Sequence, residues 1–203
     1  MSNLILIAGL PATGKTSFAK YLSNELKIPM VSKDIVKELL YDTVGFKSRN
    51  EKVALNLAAI TIMNHFAETQ LSIGQSIILE RNFENLCKPG LLKLIEKYSP
   101  KTVTITFQSD INILFQRFIE RENSPERHRG HVVNTQYPEV DNTPTMSIES
   151  QGITPEKFLD SAKKRGMFDF SIGAAEIFVD TSDFSKVSYE AITKLIKEKL
   201  GGL

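Results

Sequence analysis

The residues best suited to chemistry in this chain run from Gly9 to Thr16 and read GLPATGKT. They match G-x-x-x-x-G-K-[ST], a loop whose backbone N–H groups cradle phosphates, whose lysine reaches the β- and γ-phosphates and whose hydroxyl ligates Mg²⁺. An apolar run, NLILIA, precedes the motif, and a stretch with helical spacing, SFAKYLSNEL, follows it. Strand, loop and helix are the context that the motif requires, because a helix N-terminus favours a polyphosphate. The sequence therefore predicts a nucleoside-triphosphate site.

Individual residues of this loop carry separate expectations. Gly9 and Gly14 are expected to supply the positive φ and the close backbone approach that a side chain would block. Lys15 is expected to act on the transferring phosphate, and the Thr16 hydroxyl to ligate Mg²⁺. The predicted nucleotide contacts of the loop are Gly9, Pro11, Ala12, Thr13, Gly14, Lys15, Thr16 and Ser17.

Two carboxylates that follow predicted strands are further candidates. Asp34 lies just past the second strand, at the carboxyl ends of the strands, where ligands bind in such folds. It can take the proton of an acceptor hydroxyl that attacks the γ-phosphate, or help to hold Mg²⁺ through water; the alternative is a simple helix N-cap. Glu80 ends the apolar strand IILE, a Walker-B pattern whose carboxylate orders the water shell of the metal. We predict Asp34 as catalytic, and Thr16 and Glu80 as metal-binding.

The strongest basic concentration in the chain lies between residues 117 and 131. Arg117 and Arg121 share one face of a predicted helix, whereas Arg127 and Arg129 lie on the loop that follows. Phosphoryl transfer spreads charge onto equatorial oxygens, and arginines on a mobile lid can close over them. The alternative is a solvated basic face paired with the neighbouring glutamates. We predict that Arg127 and Arg129 are catalytic.

Strands and helices alternate along the chain, which implies a parallel, doubly wound sheet. The segment 50–71 is predicted to be an amphipathic helix with Val53, Leu57 and Ile60 on one face. The stretch 123–153 lacks periodicity, but Thr154 and Pro155 then favour the start of another helix. Strands are predicted at 3–8, 28–31, 76–79, 102–107 and 177–179, and helices from 17 and at 34–40, 50–71, 110–122, 154–164 and 189–200.

Composition limits the classes of function. The formal net charge is +1, from 25 basic and 24 acidic residues, so we expect no long nucleic-acid partner. No apolar stretch is long enough for a membrane span, and the strand near the N-terminus leaves no room for a signal peptide. A single cysteine, Cys87, fits a reducing compartment, and we expect a cytoplasmic protein. We also expect one domain over 1–203, with a lid and inserted segment at about 123–165, as a monomer or homodimer.

These residues together resemble the small P-loop kinases that phosphorylate hydroxyl groups. The group includes shikimate and gluconate kinases, chloramphenicol phosphotransferase, zeta-toxin kinases and the kinase domain of polynucleotide kinase. The resemblance covers residues 1 to about 131 and the last strand and helix, and it is carried by GLPATGKTSFAKYL, VSKD, IILERNF and the arginine lid. It implies a three-layer α/β fold with a central five-stranded parallel sheet, helices on both faces and an arginine-bearing lid.

The resemblance also implies roles for individual residues. Asp34 would be the acceptor's base, and Arg121, Arg127 and Arg129 would cover the phosphates. Arg117 or Arg121 would approach the adenine or the α-phosphate. The loop at 180–182, with Thr181, would border the adenine. Glu80 departs from the pattern, because several of these families carry aspartate at that place.

We therefore predict an ATP- and Mg²⁺-dependent kinase that phosphorylates a hydroxyl of a small-molecule acceptor. Three alternatives stay open. One is an NTP-hydrolysing switch or assembly factor that uses the same loop without an acceptor. The others are a kinase of the 5′-hydroxyl of an oligonucleotide and a toxin-type kinase. A free pocket between the helix at Asp34 and the helix at Asn50 would favour a small acceptor over a protein partner.

Overall fold

A five-stranded parallel sheet forms the centre of the molecule in a computed structural model, which describes residues 1–139 and 152–202. The strand order is β2-β3-β1-β4-β5. The apolar run of β1 lies in the middle of the sheet, and Leu4, Ile5, Leu6 and Ile7 have no exposed surface. Such continuous apolar strands are typical of parallel sheets covered on both faces. The strands are β1 Asn3–Gly9, β2 Met30–Ser32, β3 Ile77–Glu80, β4 Lys101–Gln108 and β5 Ala175–Asp180.

Helices cover both faces of this sheet. One core cluster joins the sheet to α1 and α8 around Phe18 and Ile196, and a second joins it to α3 and α4 around Met63 and Leu91. The helices are α1 Lys15–Leu26, α2 Lys33–Thr43, α3 Arg49–Ser72, α4 Lys88–Tyr98, α5 Ile111–Asn123, α6 Arg129–Val132, α7 Pro155–Lys164 and α8 Tyr189–Lys199. The predicted three-layer α/β architecture with five parallel strands is confirmed. In the described part of the chain, no helix has the length and apolar character needed to span a membrane.

The predicted start of α7 is confirmed, whereas α4 was missed. Thr154 caps α7 by accepting a hydrogen bond from the backbone N–H of Lys157, and Pro155 occupies the first turn. The α4 sequence, KPGLLKLIEKY, has a proline as its second residue and a glycine as its third, which hide its helical character. Proline is tolerated in a first turn because its missing N–H has no helical partner there. Gly90 lies where α4 packs closely on α3, since a Cβ atom there would be 2.9 Å from the end of the Asn64 side chain.

The predicted apolar face of α3 is wrong in its N-terminal half. Val53 and Leu57 are 44% and 47% exposed, and Val53 borders a cavity. The buried apolar residues of the helix lie further along it, at Ala59, Met63, Ala67 and Leu71. The reason is that the C-terminal half of α3 packs on the sheet, whereas its first turns extend past the sheet edge toward α2.

Residues 124–139, here called the arginine segment, are ordered rather than structureless. Val132 and Val133 are buried, and Val133 belongs to a cluster with Tyr41 and Phe46. Phe46 and Tyr137 form an isolated antiparallel bridge. The segment therefore has a small core of its own against α2 and α3. The remainder of the predicted insertion, 140–151, lies outside the described residues.

Candidate active site

The loop between β1 and α1 has the backbone geometry that its glycines predict. Gly9 has φ +143°, and a Cβ atom there would lie 2.4 Å from the carbonyl oxygen of Phe107. Gly14 has φ +82°, so both glycine predictions are confirmed. Ala12 also adopts a positive φ, of 67°, which the sequence did not indicate. The buried Thr13 hydroxyl donates a hydrogen bond of 2.9 Å to the Leu10 carbonyl oxygen and thereby closes the loop internally.

The carboxyl ends of three strands bring a buried lysine and a buried glutamate together. The Lys15 Nζ donates to the Leu10 carbonyl oxygen at 3.1 Å and lies 3.9 Å from Glu80 Oε1. Burial lowers the pKa of Lys15, and the carboxylates of Glu80 and Asp34 oppose that shift. The second oxygen of Glu80 accepts a hydrogen bond of 2.5 Å from the Ser32 hydroxyl. Glu80 therefore faces the phosphate loop from β3, as the Walker-B pattern predicts for its position.

Asp34 is the second residue of α2, and it does not cap the helix. The N-cap position is Ser32, so the alternative interpretation of Asp34 as a simple N-cap is wrong. The ammonium groups of Lys33 and Lys37 each lie 3.5 Å from Asp34 Oδ1. Burial tends to raise the pKa of this carboxyl, but Lys37, Lys33, His131 and Lys15 outweigh it and hold the pKa well below its ordinary value. Asp34 is consequently an ionised acceptor, and its side chain keeps 41% of its surface exposed.

The arginines of the predicted lid are paired with carboxylates. Arg121 donates to Glu122 Oε1, and Arg127 Nε lies 2.9 Å from the same oxygen. Arg129 forms a two-bond pair with Glu139, at 2.9 and 2.8 Å. The contacts of Arg121 and Arg127 with Glu122 are the pairing with a neighbouring glutamate that the alternative interpretation expects. Arg121 and Arg127 line the same cavity as Asp34, whereas the guanidinium of Arg129 is turned to Glu139.

Arg117 and Thr181 meet beside the phosphate loop. The Arg117 guanidinium donates to the carbonyl oxygens of Thr181 and Ser182, at 2.6 and 2.9 Å. It also lies 4.0 Å from the centre of the Phe184 ring. The ring lies next to Gly14 of the phosphate loop: a Cβ atom on that glycine would be 2.9 Å from a ring carbon. Phe184 was not among the predicted site residues, although an aromatic residue directly after the sequence DTSD was a usable signal.

A cavity of about 590 Å³ opens beside Asp34, between α2, α3, α5 and α7. This is the free pocket that the sequence analysis named as favouring a small acceptor. Apolar side chains of α5, α7 and the residues after it line one side of the cavity, interspersed with charged ones, and the cations of α2 and α3 line another side. The lining residues that the sequence analysis did not single out include Lys33, Lys37, Arg49, Lys52, Asn56, Phe118, Lys157, Phe158, Arg165 and Met167.

The spacing of the missed basic residues was visible in the sequence. Lys33 and Lys37 flank Asp34 four residues apart on α2, and Arg49, Lys52 and Asn56 recur at helical spacing on α3. Residues three or four apart on a helix share a face. The first turns of α3 carry a polar face, whereas the rest of the helix has an apolar one. This change along the helix was a signal that its first turns line a cavity with polar walls.

Comparison with known proteins identifies the same fold. A putative kinase from Chloroflexus aurantiacus J-10-fl is 23% identical, with a TM-score of 0.73 and coverage of 98% of this chain and 96% of that chain. Kti12 from Chaetomium thermophilum, in complex with ADP-AlF3, is 16% identical, with a TM-score of 0.58 and coverage of 98% and 100%. Shikimate kinase from Bacteroides thetaiotaomicron is 14% identical, with a TM-score of 0.55 and coverage of 98% of both chains.

A family model described as an AAA domain, AAA_18, matches residues 5–139. The match covers more than half of the chain and includes the phosphate loop, Asp34, Glu80 and the arginine segment. The structural similarity extends the P-loop kinase fold to the last strand and helix. The chain therefore belongs to the AAA domain family of P-loop proteins and has the fold of the P-loop kinases that its motifs resemble.

Proposed function

We propose that this protein transfers the γ-phosphate of ATP to a hydroxyl of a small molecule bound in the cavity beside Asp34. The observation that carries the proposal is the position of that cavity. It opens at the carboxyl ends of the strands, next to the phosphate loop, with an ionised Asp34 carboxylate on its wall. The cavity, of about 590 Å³, is lined in part by Leu10 and Pro11 of the phosphate loop and would give a small acceptor room beside the transferring phosphate.

The phosphate loop would hold the nucleotide through backbone N–H groups at the start of α1. Lys15 would exchange its hydrogen bond to the Leu10 carbonyl oxygen for the β- and γ-phosphates. Mg²⁺ fits the oxygen donors in the first turn of α1 and at the end of β3, because hydroxyl and carboxylate oxygens are its preferred ligands. Thr16 and Glu80 would hold it, and the ion would neutralise charge on the phosphates. Arg117 and Phe184 would border the base of the nucleotide.

Asp34 would orient the acceptor hydroxyl and receive its proton. A bond forms between the acceptor oxygen and the γ-phosphorus, the bond from that phosphorus to the bridging β–γ oxygen breaks, and ADP leaves. A carboxylate with a lowered pKa is a weak base, but phosphoryl transfer depends mainly on positioning and charge stabilisation. Arg121 and Arg127, which share Glu122, lie on the cavity wall where they could contact the equatorial oxygens.

The decisive experiment compares Asp34→Asn with the wild type for nucleotide affinity, thermal stability and acceptor phosphorylation. Pools of sugars, nucleosides, small acids and other alcohols would serve as acceptors, with labelled ATP. We expect the variant to keep its fold and its ATP affinity but to lose transfer about a hundredfold, because an amide cannot take the proton. Asp160→Asn, an exposed aspartate on α7, is the matched control and should transfer at the wild-type rate.

Two results would contradict the proposal. If no pool accepts phosphate while the wild type hydrolyses ATP at a steady rate, the protein is a switch or assembly factor of the alternative class. If Asp34→Asn transfers phosphate normally, the base lies elsewhere, and Glu80 is the next candidate. Lys15→Ala tests the phosphate loop itself: turnover should fall by more than a hundredfold, since a contact to the developing charge contributes about 3 kcal/mol or more.

A further inference from the structure

Among the described residues, the basic side of the cavity is lined by more cations than carboxylates. Lys37 of α2 and Arg49 and Lys52 of α3 face the cavity together with Arg127. Among the lining residues that the structure describes, the carboxylates are Asp34 and Glu122. One of these is the proposed base, and the other already contacts two arginines. A positive field therefore fills this end of the cavity.

Among the residues that the structure describes, the hydrogen-bond partners of the two α3 cations are neutral. The Lys52 ammonium, which is almost fully buried, donates to the backbone carbonyls of His131 and Val133 and to the side-chain oxygen of Asn134. Arg49 Nη1 donates to the same side-chain oxygen at 2.7 Å. Carbonyl and amide oxygens satisfy N–H groups but leave the charge uncompensated, and burial makes uncompensated charge costly.

Burial and repulsion among these groups lower the pKa values of both lysines. Burial, together with the charges of Lys33 and Arg127, lowers the pKa of Lys37 to about 8 even though Asp34 opposes the shift. Burial and the charges of Arg49 and Lys37 lower the pKa of Lys52 to about 7. A bound anion would reverse these effects, because an opposite charge within a few ångströms favours the ammonium form.

The geometry points to an anionic acceptor: a small alcohol that also carries a phosphate or carboxylate group, held by Lys37 and Arg49 while its hydroxyl faces Asp34. This inference rests on the proposed kinase function and adds the substrate class to it. Lys37 connects the proposed base with the anion-binding cations. Its ammonium lies 3.5 Å from Asp34, and it lines the same cavity as Arg49 and Lys52. The apolar wall, with Phe158 and Met167, would contact the carbon skeleton of the acceptor.

The test measures anion binding directly, without turnover. The phosphate loop is first saturated with Mg²⁺ and a non-hydrolysable ATP analogue, and inorganic phosphate and citrate are then titrated separately by calorimetry. We expect saturable binding of at least one of them, and the preferred anion distinguishes a phosphate from a carboxylate on the acceptor. Arg49→Gln and Lys37→Gln should each weaken that binding about tenfold or more, because charge-assisted hydrogen bonds are lost.

Lys20→Gln is the matched control, since Lys20 is exposed on α1, on the other face of the sheet. Arg49 is exposed as well, so Arg49→Gln should fold, and circular dichroism checks this for all variants. No saturable binding of either anion, or equal affinity in Arg49→Gln and Lys20→Gln, would overturn the inference.

Acceptor pools separate this inference from the proposed function. Neutral, carboxylated and phosphorylated alcohols are offered with ATP as three separate pools. Phosphorylation of the charged pools, lost in Arg49→Gln and kept in Lys20→Gln, is the expected result. Phosphorylation of the neutral pool in preference to both charged pools would overturn the anionic acceptor and leave the kinase intact. Anion binding that Arg49→Gln weakens, with no transfer to any pool, would support the anion site and contradict the kinase.

Discussion

We expect His131 to make the stability of this protein sensitive to mild acid. Its side chain is 4% exposed, and its Nε2 lies 2.7 Å from Glu38 Oε1. Burial lowers the pKa of His131 to about 4, while the hydrogen bond to Glu38 opposes the shift. Lys37 and Arg127 face the ring and lower the pKa further, and Asp34 opposes them. The imidazole is therefore neutral in the folded protein at neutral pH.

The direction of the pH effect follows from proton uptake. In the unfolded chain a histidine has a pKa of about 6.5, so between about pH 6.5 and pH 4 the unfolded state binds more protons than the folded state. The free energy of unfolding therefore falls as the pH is lowered through this window. The difference between a pKa of about 6.5 and one of about 4 is worth about 3 kcal/mol when complete, and about 2 kcal/mol is lost by pH 4.5.

The assay is urea unfolding at pH 7 and pH 4.5 for the wild type and for His131→Gln, whose amide can still donate to Glu38. We expect the variant to lose about 2 kcal/mol less than the wild type between the two pH values. His65→Gln, an exposed histidine on α3, is the control and should follow the wild type. Equal losses in the wild type and in His131→Gln would refute the reasoning, because carboxylates common to both would then account for the acid sensitivity.

Two further substitutions test features near the site. Gly14→Ala should lower the free energy of unfolding by about 1–2 kcal/mol, because an alanine at φ +82° is strained; urea unfolding measures this. Most of that loss should persist in a Phe184→Ala background, where the ring 2.9 Å from the new Cβ atom is absent, and an unchanged stability would contradict the strain. Glu84→Gln should cost about 3 kcal/mol, because the buried carboxylate pairs with both Arg81 and Arg165. A loss below 1 kcal/mol would show that solvent already screens the two arginines.

Much of the fold could be predicted because the chain has strong local signals. The phosphate motif defines a strand, a loop and a helix at once, and the apolar strands predict burial on both faces of a parallel sheet. Thr154 and Pro155 mark the start of α7 in the sequence because capping is a local interaction. The positions of Glu80 and Asp34 followed from the rule that the strand ends of such sheets share one edge.

The parts that could not be predicted depend on contacts between distant segments. Two such contacts arise when the arginine segment folds onto α2 and α3. They are the Arg129–Glu139 pair and the hydrogen bond from Lys52 to the His131 carbonyl oxygen. No periodicity in residues 124–139 encodes these contacts. The exposed face of α3 at Val53 was misread for a related reason, since a helical pattern shows which residues share a face but not where the sheet beneath it ends.

The attachment of the arginine segment to α2 and α3 has a mechanical consequence. Lys52 donates to two backbone carbonyls of the segment. The backbones of Phe46 and Tyr137 exchange two hydrogen bonds. Gly130 packs so closely on Tyr41 that no Cβ atom would fit between them. A hinge at the end of α5 would have to break all of these contacts for the segment to swing alone. A widening of the cavity on this side that preserves these contacts must move α2 and the first turns of α3 together with the segment. The cavity would then open between that group of elements and α7.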